Sequence, residues 1–239
     1  MKKVICISIL FSLLIGCSGE EDIGSYQNKK IYEFSWCSYN ENYKPQDLNN
    51  ELISYIGFLN NLESRNGLKK ETKYLNPYEK FDGYDFIWLD IYENELQKNA
   101  FSEFSINSEV FNNWLISKKE IIDCDENKQR FYEINVNSDY SFSDGDQTYI
   151  GFCKIKDGFD LNYLQERIKN SSLFSEKLYN RNLLIPLFKN MDFDFVILVE
   201  TDFFSKDLNI IKENKFINHC EEYKNFASNS LLFNTYLID

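Results

Sequence analysis

Three short sequence words occur in the same order in both halves of this 239-residue chain, and this recurrence restricts its fold more than any other feature. The first-half words are Asp47-Leu48-Asn49, Asp85-Phe86-Ile87 and Cys124-Asp125-Glu126, and their second-half counterparts are Asp160-Leu161-Asn162, Asp194-Phe195-Val196 and Cys220-Glu221-Glu222. Similar words in a conserved order indicate an internal repeat. The chain is therefore predicted to contain two copies of one structural plan.

Hydrophobic periodicity predicts the same order of elements in each half. In the first half it predicts strands at 31–39, 72–75, 84–92 and 130–136, a helix at 47–62 capped by Asp47, and short helices at 94–104 and 112–121. In the second half it predicts strands at 148–155, 183–187, 193–200 and 231–238, with helices at 160–168 and 205–213. Each half therefore follows the order βαββαβ.

This order is that of the ferredoxin-like unit, and two such units in tandem resemble the dimeric α+β barrel superfamily. The resemblance is one of element order over residues 31–239, without a diagnostic sequence motif. It implies an α+β fold in which two sheets close face to face around an interior cleft, with one chain supplying both repeats. The first repeat would span 31–137 and the second 147–239, with the polar run 137–146 between them. An unrelated α+β sandwich is the alternative.

The N-terminus begins Met-Lys-Lys, continues with a short apolar run and ends in Leu14-Ile15-Gly16-Cys17. These features resemble a bacterial lipoprotein signal, whose lipobox ends in the lipidated cysteine. The resemblance implies that residues 1–16 are removed, that acylated Cys17 anchors the protein in a lipid bilayer, and that 17–30 form a polar tether. Ser18 in place of Asp implies the periplasmic face of the outer membrane. An ordinary signal peptide cut elsewhere or a short amphipathic anchor is the alternative.

Four further cysteines, Cys37, Cys124, Cys153 and Cys220, would lie in a compartment that permits disulfides. In a ferredoxin-like sheet the last strand runs antiparallel beside the first, so the expected pairs are Cys37–Cys124 and Cys153–Cys220. Four buried free thiols are the alternative. The chain has no C-x-x-C motif and a single histidine, His219, so we expect no Cys/His metal site.

Composition excludes some classes of function. A net charge of −12 argues against nucleic acid as a partner. No motif indicates a catalytic triad or a bound cofactor, and His219 is predicted to lie in an exposed loop. Asp144-Gly145-Asp146 lacks the spacing of a calcium loop and is interpreted as a linker turn.

The candidate pocket comes from strand alternation. In the strand at 84–92, one face is aliphatic and suits packing on helices, while the other carries rings and the carboxylate Asp90. The aromatic face is predicted to line the space between the two sheets, together with rings of the first strand, and burial among rings would raise the pKa of Asp90. The predicted pocket residues are Phe34, Trp36, Phe86, Trp88, Asp90 and Tyr92. An ordinary aromatic core is the alternative, with Asp90 in water at the strand end.

Two functions are compatible with these features. The first is a non-catalytic envelope lipoprotein that binds a small apolar or aromatic ligand, or an envelope protein, in the aromatic cleft. The second follows from the resemblance to the dimeric α+β barrel superfamily, several of whose members are monooxygenases or isomerases that often need no cofactor. Asp90 would be the base of such an enzyme, and Trp36, Trp88 and Tyr92 would shape its pocket.

Overall fold

The computed structural model describes residues 28–66, 68, 70–77, 83–125, 129–134, 147–169, 180–186, 193–201 and 217–233. Three predictions lie outside these residues: the lipidated N-terminus with Cys17, the linker turn at 144–146 and the helix at 205–213. Within the described residues, no helix is both long enough and apolar enough to cross a membrane.

The described elements confirm the α+β class. The first repeat contains β1 (Ile31–Tyr39), α1 (Pro45–Asn66), β2 (Lys70–Pro77), β3 (Phe86–Tyr92), α2 (Glu95–Asn107), α3 (Glu109–Ile121), β4 (Ile122–Cys124) and β5 (Gln129–Ile134). The second contains β6 (Gln147–Ile155), α4 (Leu161–Lys169), β7 (Asn180–Pro186), β8 (Phe195–Thr201) and β9 (Cys220–Phe233), with a 3-10 turn at Ile217–His219.

Short polar side chains fix where the helices begin. Asn94 accepts a hydrogen bond from the backbone of Gln97 at the start of α2, and Ser108 does the same for α3. Asp160 accepts from the backbone N–H of Tyr163 at 2.7 Å and caps α4. Asp47 was predicted as an N-cap, but α1 begins earlier, at Pro45, and Asp47 instead reaches back to the N–H of Lys44 at 2.8 Å. A proline at the first helical position favours this earlier start.

The strands form a closed antiparallel ring. In the first repeat their order is β2-β3-β1-β5, and in the second it is β7-β8-β6-β9, the order of a ferredoxin-like sheet in each case. The edges of the two sheets join, since β2 pairs with β9 and β5 pairs with β7. The short strand β4 also pairs with β1, so the last strand of the first repeat consists of two pieces. The tandem ferredoxin-like barrel is therefore confirmed.

Strand β9 is longer than predicted. It starts at Cys220, whereas the sequence pattern predicted a start at Leu231. Its first residues include Glu221, Glu222 and Lys224, and their side chains gave no apolar alternation. They adopt strand structure because β9 pairs with β6 along this stretch, and backbone hydrogen bonding does not require apolar side chains.

The repeated words that begin at Asp85 and Asp194 have a shared structural role. Asp85 accepts a hydrogen bond from the backbone N–H of Tyr39 at 2.9 Å, and Asp194 accepts one from Ile155 at 2.7 Å. The backbone N–H of each aspartate in turn donates to the cysteine carbonyl of the first strand, Cys37 or Cys153, at 2.9 Å. Each repeat therefore uses its Asp to join the end of its first strand to the start of its third.

Both expected disulfides are present. Cys37 bonds to Cys124 and Cys153 bonds to Cys220, with sequence separations of 87 and 67 residues. Each bridge joins the end of the first strand to the beginning of the last strand in its own repeat, as the ferredoxin-like order implied.

Two separate apolar clusters lie on the two sides of the ring. The inner cluster contains strand residues of both repeats, including Phe34, Trp36 and Phe152. The outer cluster packs the first repeat's sheet against α1, α2 and α3, and it includes Phe86, Trp88 and Tyr92. The aliphatic residues of β3, Ile87, Leu89 and Ile91, belong to the inner cluster. The assignment of the two faces of β3 from sequence was therefore wrong, since the rings face the helices.

A buried ion pair joins the two repeats inside the ring. Lys73 of β2 donates to Glu200 of β8, with Nζ 2.6 Å from Oε1, and lies 3.2 Å from Glu71. Both Lys73 and Glu200 are at most 1% exposed. Burial alone would lower the pKa of Lys73, but the neighbouring carboxylates of Glu200 and Glu71 outweigh burial and raise it.

Replacing Lys73 by methionine should destabilise the fold by about 3–5 kcal/mol, because it leaves Glu200 buried without its cation. Urea unfolding followed by circular dichroism measures this loss. The matched control is Lys154→Met, which removes a half-exposed lysine 3.6 Å from Asp194 and should cost under about 1 kcal/mol. Equal losses in the two variants would contradict a structural role for the inner pair.

Candidate functional site

A cavity of about 640 Å³ lies on the outer side of the first repeat, between its sheet and the helices. Strands β1, β2 and β3 form the floor, and α2 and α3 form the roof. Tyr55 of α1 closes one wall, and β4 with Arg130 of β5 contributes another. The lining includes the exposed residues Lys119 and Asp123. These residues indicate that the mouth lies where α3 passes into β4.

The floor carries a buried polar network centred on Asp90. One carboxylate oxygen accepts hydrogen bonds from Thr72 at 2.8 Å and from the Trp88 indole at 3.0 Å. The other lies 2.8 Å from Lys70 Nζ, and Lys70 also donates to the hydroxyl of Tyr55 at 2.7 Å. The β2–β3 register produces this arrangement, because it places Thr72 opposite Asp90 and Lys70 opposite Tyr92.

These contacts change the expected electrostatics of Asp90. The sequence indicated a carboxyl group whose protonation is governed by burial among rings. The structure adds the ammonium group of Lys70 and two neutral hydrogen-bond donors, all within 3.0 Å of the Asp90 oxygens. Burial raises the pKa of the neighbouring Tyr92 well above its ordinary value, and the negative charge of Asp90 raises it further. The floor therefore presents a carboxylate paired with a cation, beside a neutral phenol.

Aromatic rings form much of the cavity wall. Tyr55 and Trp114 stack with their centroids 4.2 Å apart, and Phe111 lies 5.6 Å from Trp114. Two ammonium groups lie against these rings: Lys70 is 4.4 Å from the centroid of Phe101, and Lys118 is 4.3 Å from that of Trp88. Contacts of this kind stabilise a cation through the ring quadrupole. The cavity thus combines flat apolar surfaces with charged groups of both signs, since four carboxylates also line it: Glu33, Asp90, Asp123 and Asp125.

The structure separates the predicted pocket residues. Trp88, Asp90 and Tyr92 line the cavity. Phe34 and Trp36 belong to the inner cluster of the ring, and Phe86 lies in the outer core without lining the cavity. The residues predicted for one cleft therefore lie on both faces of the sheet.

Several lining residues were not predicted. Lys70 lies in the polar run Lys69-Lys70-Glu71-Thr72-Lys73, which carries no apolar signal for a buried strand. Its partner Tyr55 and the roof residue Trp114 belong to amphipathic helices, whose periodicity marks their buried face but not a cavity. The one available signal was the alternation of Lys70 with Thr72, which places both on one face of a strand.

Among the described residues, no group of three or more His, Cys, Asp or Glu side chains could hold a metal ion. His219 packs in the second repeat against the rings of Phe159 and Tyr163, at 4.5 and 6.2 Å between centroids, and is not among the cavity-lining residues.

No protein-family model and no curated protein matches the sequence, but solved structures match the fold. A "putative monooxygenase" from Fusobacterium nucleatum is 14% identical, with a TM-score of 0.63 over 86% of this chain and 94% of the other. A mutant chlorite dismutase from Candidatus Nitrospira defluvii is 12% identical, with a TM-score of 0.55 over 84% and 90%. A second "putative monooxygenase", from Lactobacillus acidophilus, is 10% identical, with a TM-score of 0.53 over 87% and 97%. At these identities the similarity establishes the fold.

Filling the cavity should block the binding of an aromatic probe. Ser105 of α2 lines the cavity and is 8% exposed, so Ser105→Trp would place an indole in the open volume. We expect the affinity for anilinonaphthalene sulfonate, measured by fluorescence titration, to fall at least about tenfold. The control is Asn99→Trp, an exposed position of the same helix that does not line the cavity. Unchanged affinity in Ser105→Trp would show that the probe binds elsewhere.

Proposed function

We propose that the protein is an enzyme of the dimeric α+β barrel type that removes a proton from a planar carbonyl or phenolic substrate bound in the first-repeat cavity. The observation that carries this proposal is the buried Asp90–Lys70 pair in the floor of an aromatic cavity. The fold shared with proteins described as monooxygenases supports the enzyme class, although fold similarity alone does not establish an activity.

The size and walls of the cavity suit a substrate of two or three fused rings. Its volume of about 640 Å³ falls within the range of roughly 300–1,000 Å³ that is typical of small-molecule sites. The rings of Trp88, Tyr92 and Trp114 offer flat surfaces on which a planar molecule can stack. A long flexible substrate would leave these surfaces poorly covered.

The polar floor supplies the two groups that proton removal needs. The carboxylate of Asp90 can accept a proton from an acidic C–H or O–H group of the substrate. The Lys70 ammonium lies 2.8 Å from Asp90 and can stabilise the negative charge that develops on the substrate oxygen. Tyr55 accepts a hydrogen bond from Lys70 and holds the ammonium in place.

The enolate or phenolate formed in this step is electron-rich and can react directly with dioxygen. We therefore expect the reaction to need no cofactor, as the sequence also predicted. Without dioxygen, return of the proton to another carbon of the same anion would give isomerisation. Both outcomes use the same residues, Asp90 and Lys70.

A non-catalytic binding protein is the second candidate function. One observation favours it: both oxygens of Asp90 already accept donors from Lys70, Thr72 and Trp88. In that case the network would serve only to position a ligand that stacks on the rings. The two functions predict different effects of replacing Asp90 by a neutral residue: only an enzyme would lose an activity.

Asp90→Asn should abolish proton removal while preserving most of the binding. The probe is anthrone, a planar ketone with acidic methylene protons. Under anaerobic conditions in deuterated buffer, the protein should accelerate exchange of these protons, and in air it should accelerate oxygen uptake with formation of anthraquinone and water. We expect Asp90→Asn to reduce both rates at least about 100-fold. Anthrone binding, measured by quenching of tryptophan fluorescence, should be mostly preserved in this variant.

The matched control is Asp157→Asn, the same chemical change at an exposed position of the second repeat, which should leave both rates unchanged. The double variant Lys70→Gln with Asp90→Asn removes both charges together and guards against misfolding from a buried unpaired cation. Anthrone that binds to the wild-type protein without accelerated exchange would contradict the enzyme and favour the binding protein.

We further propose that the protein works at the cell envelope, attached to the outer membrane through acylated Cys17. The support is the lipobox Leu14-Ile15-Gly16-Cys17 together with the two disulfides, which are typical of proteins outside the cytosol. Two or more acyl chains would give stable attachment.

Cys17→Ala should prevent lipidation and release the protein from membranes. Metabolic labelling with an alkyne fatty acid, followed by fractionation of the bacterial host's membranes, measures both effects. Ser18→Ala is the matched control and should remain labelled and membrane-bound. Labelling that persists in Cys17→Ala would contradict the proposed anchor.

A further inference from the structure

We propose that the Cys37–Cys124 disulfide is a thiol–disulfide exchange site that opens onto the first-repeat cavity. Its ligand class is a small dithiol, which would reduce this disulfide while Cys153–Cys220 stays intact. This inference goes beyond the proposed function and does not depend on turnover.

The two disulfides occupy equivalent positions but differ in their surroundings. Cys124 is half-buried and lines the cavity. Cys153 is 0% exposed, Cys220 is 7% exposed, and neither lines the cavity. A thiolate must reach a sulfur atom to attack it, so accessibility favours exchange at Cys124.

Cys124 also lies in a much shorter strand than Cys220. Cys124 ends β4, a strand of three residues that pairs only with β1 among the described strands. Cys220 begins β9, a strand of 14 residues whose first part pairs with β6. A strand of three residues opens locally at lower cost than a long strand with many pairing residues.

The exchange step balances with a dithiol as the reductant. Its thiolate attacks Cys124 Sγ and forms a mixed disulfide, while the Cys37–Cys124 bond breaks and its electron pair leaves on Cys37 Sγ, which takes up a proton. The second thiol of the reductant then attacks its own sulfur in the mixed disulfide. This step releases the Cys124 thiolate and oxidises the dithiol to a cyclic disulfide.

Reduction would act on the cavity roof. Helix α3 supplies Phe111, Trp114 and Lys118 to the cavity and continues directly into β4. The disulfide ties this end of α3 to β1. In the reduced protein the junction would depend on hydrogen bonds. They include those from the backbone N–H of Asn40 to the carbonyl of Ile121 at 2.9 Å and from the N–H of Asp125 to that of Trp36 at 2.8 Å, together with the pairing of β4 with β1. We therefore expect the reduced protein to hold a cavity ligand less tightly.

Selective reduction is the direct test. The full chain is incubated with dithiothreitol for increasing times and alkylated, and each of the four cysteines is quantified by peptide mass spectrometry. Cys37 and Cys124 should be alkylated at least about tenfold faster than Cys153 and Cys220, with a rate that low urea barely changes. Equal rates, faster reduction of Cys153–Cys220, or a steep rise with urea would overturn the proposal, because each indicates access only through unfolding.

A pair of matched variants tests the effect on the roof. Cys37→Ser with Cys124→Ser should weaken binding of anilinonaphthalene sulfonate several-fold, whereas Cys153→Ser with Cys220→Ser should leave it unchanged in protein that remains folded by circular dichroism. Equal affinities in the two variants would overturn the link between this disulfide and the cavity. Neither result depends on anthrone turnover, so failure of the enzyme proposal and failure of this one are distinguishable.

Discussion

The fold depends on two antiparallel strand pairings that close the ring, β2 with β9 and β5 with β7. Each ferredoxin-like sheet alone would leave two edges with unpaired backbone groups. Joining these edges satisfies the backbone groups and creates an inner face that none of the described helices covers. The inner face is filled by rings from both repeats, such as Phe34 and Phe152 at 6.1 Å between centroids. The outer face is left for the helices, and the cavity lies there because α2 and α3 do not fill the space over β1 and β3.

The repeat was readable from sequence because two of the three pairs of matching words have the same structural role in both halves. Asp85 and Asp194 each bond to the end of their repeat's first strand, and each cysteine of that strand bonds to the start of the last one. Because the same local geometry requires the same residue types, these residues recur in the same order in both repeats. Elements without such residues were predicted less well. Strand β9 begins in a polar run that side-chain alternation does not reveal, since its structure comes from pairing with β6.

The direction in which β3 faces could not be predicted, although its alternation was correct. Ile87 and Leu89 are apolar, as are Phe86 and Trp88, and all four are at most 2% exposed. A strand that is buried on both sides carries no polar face to mark the outside. The rings of β3 face outward because they fill the space between the sheet and helices α1 and α3. The rings of Tyr55 and Trp88, for example, lie 5.5 Å apart between centroids. Asp90 was recognised as a candidate because it is a carboxylate within an apolar strand. Its partner Lys70 was missed because it lies in a polar run that carries no apolar signal.

The two repeats use a carboxylate at adjacent positions of equivalent strands, with opposite results. The shift from Asp85 to Asp194 aligns Asp90 with Val199 and Ile91 with Glu200. Because side chains alternate along a strand, a step of one residue moves a carboxylate to the other face. Asp90 therefore faces the helices and the cavity, whereas Glu200 faces the inside of the ring and pairs with Lys73 of the other repeat. The carboxylate of the second repeat therefore joins the two repeats inside the ring, whereas that of the first repeat lies in the floor of the cavity.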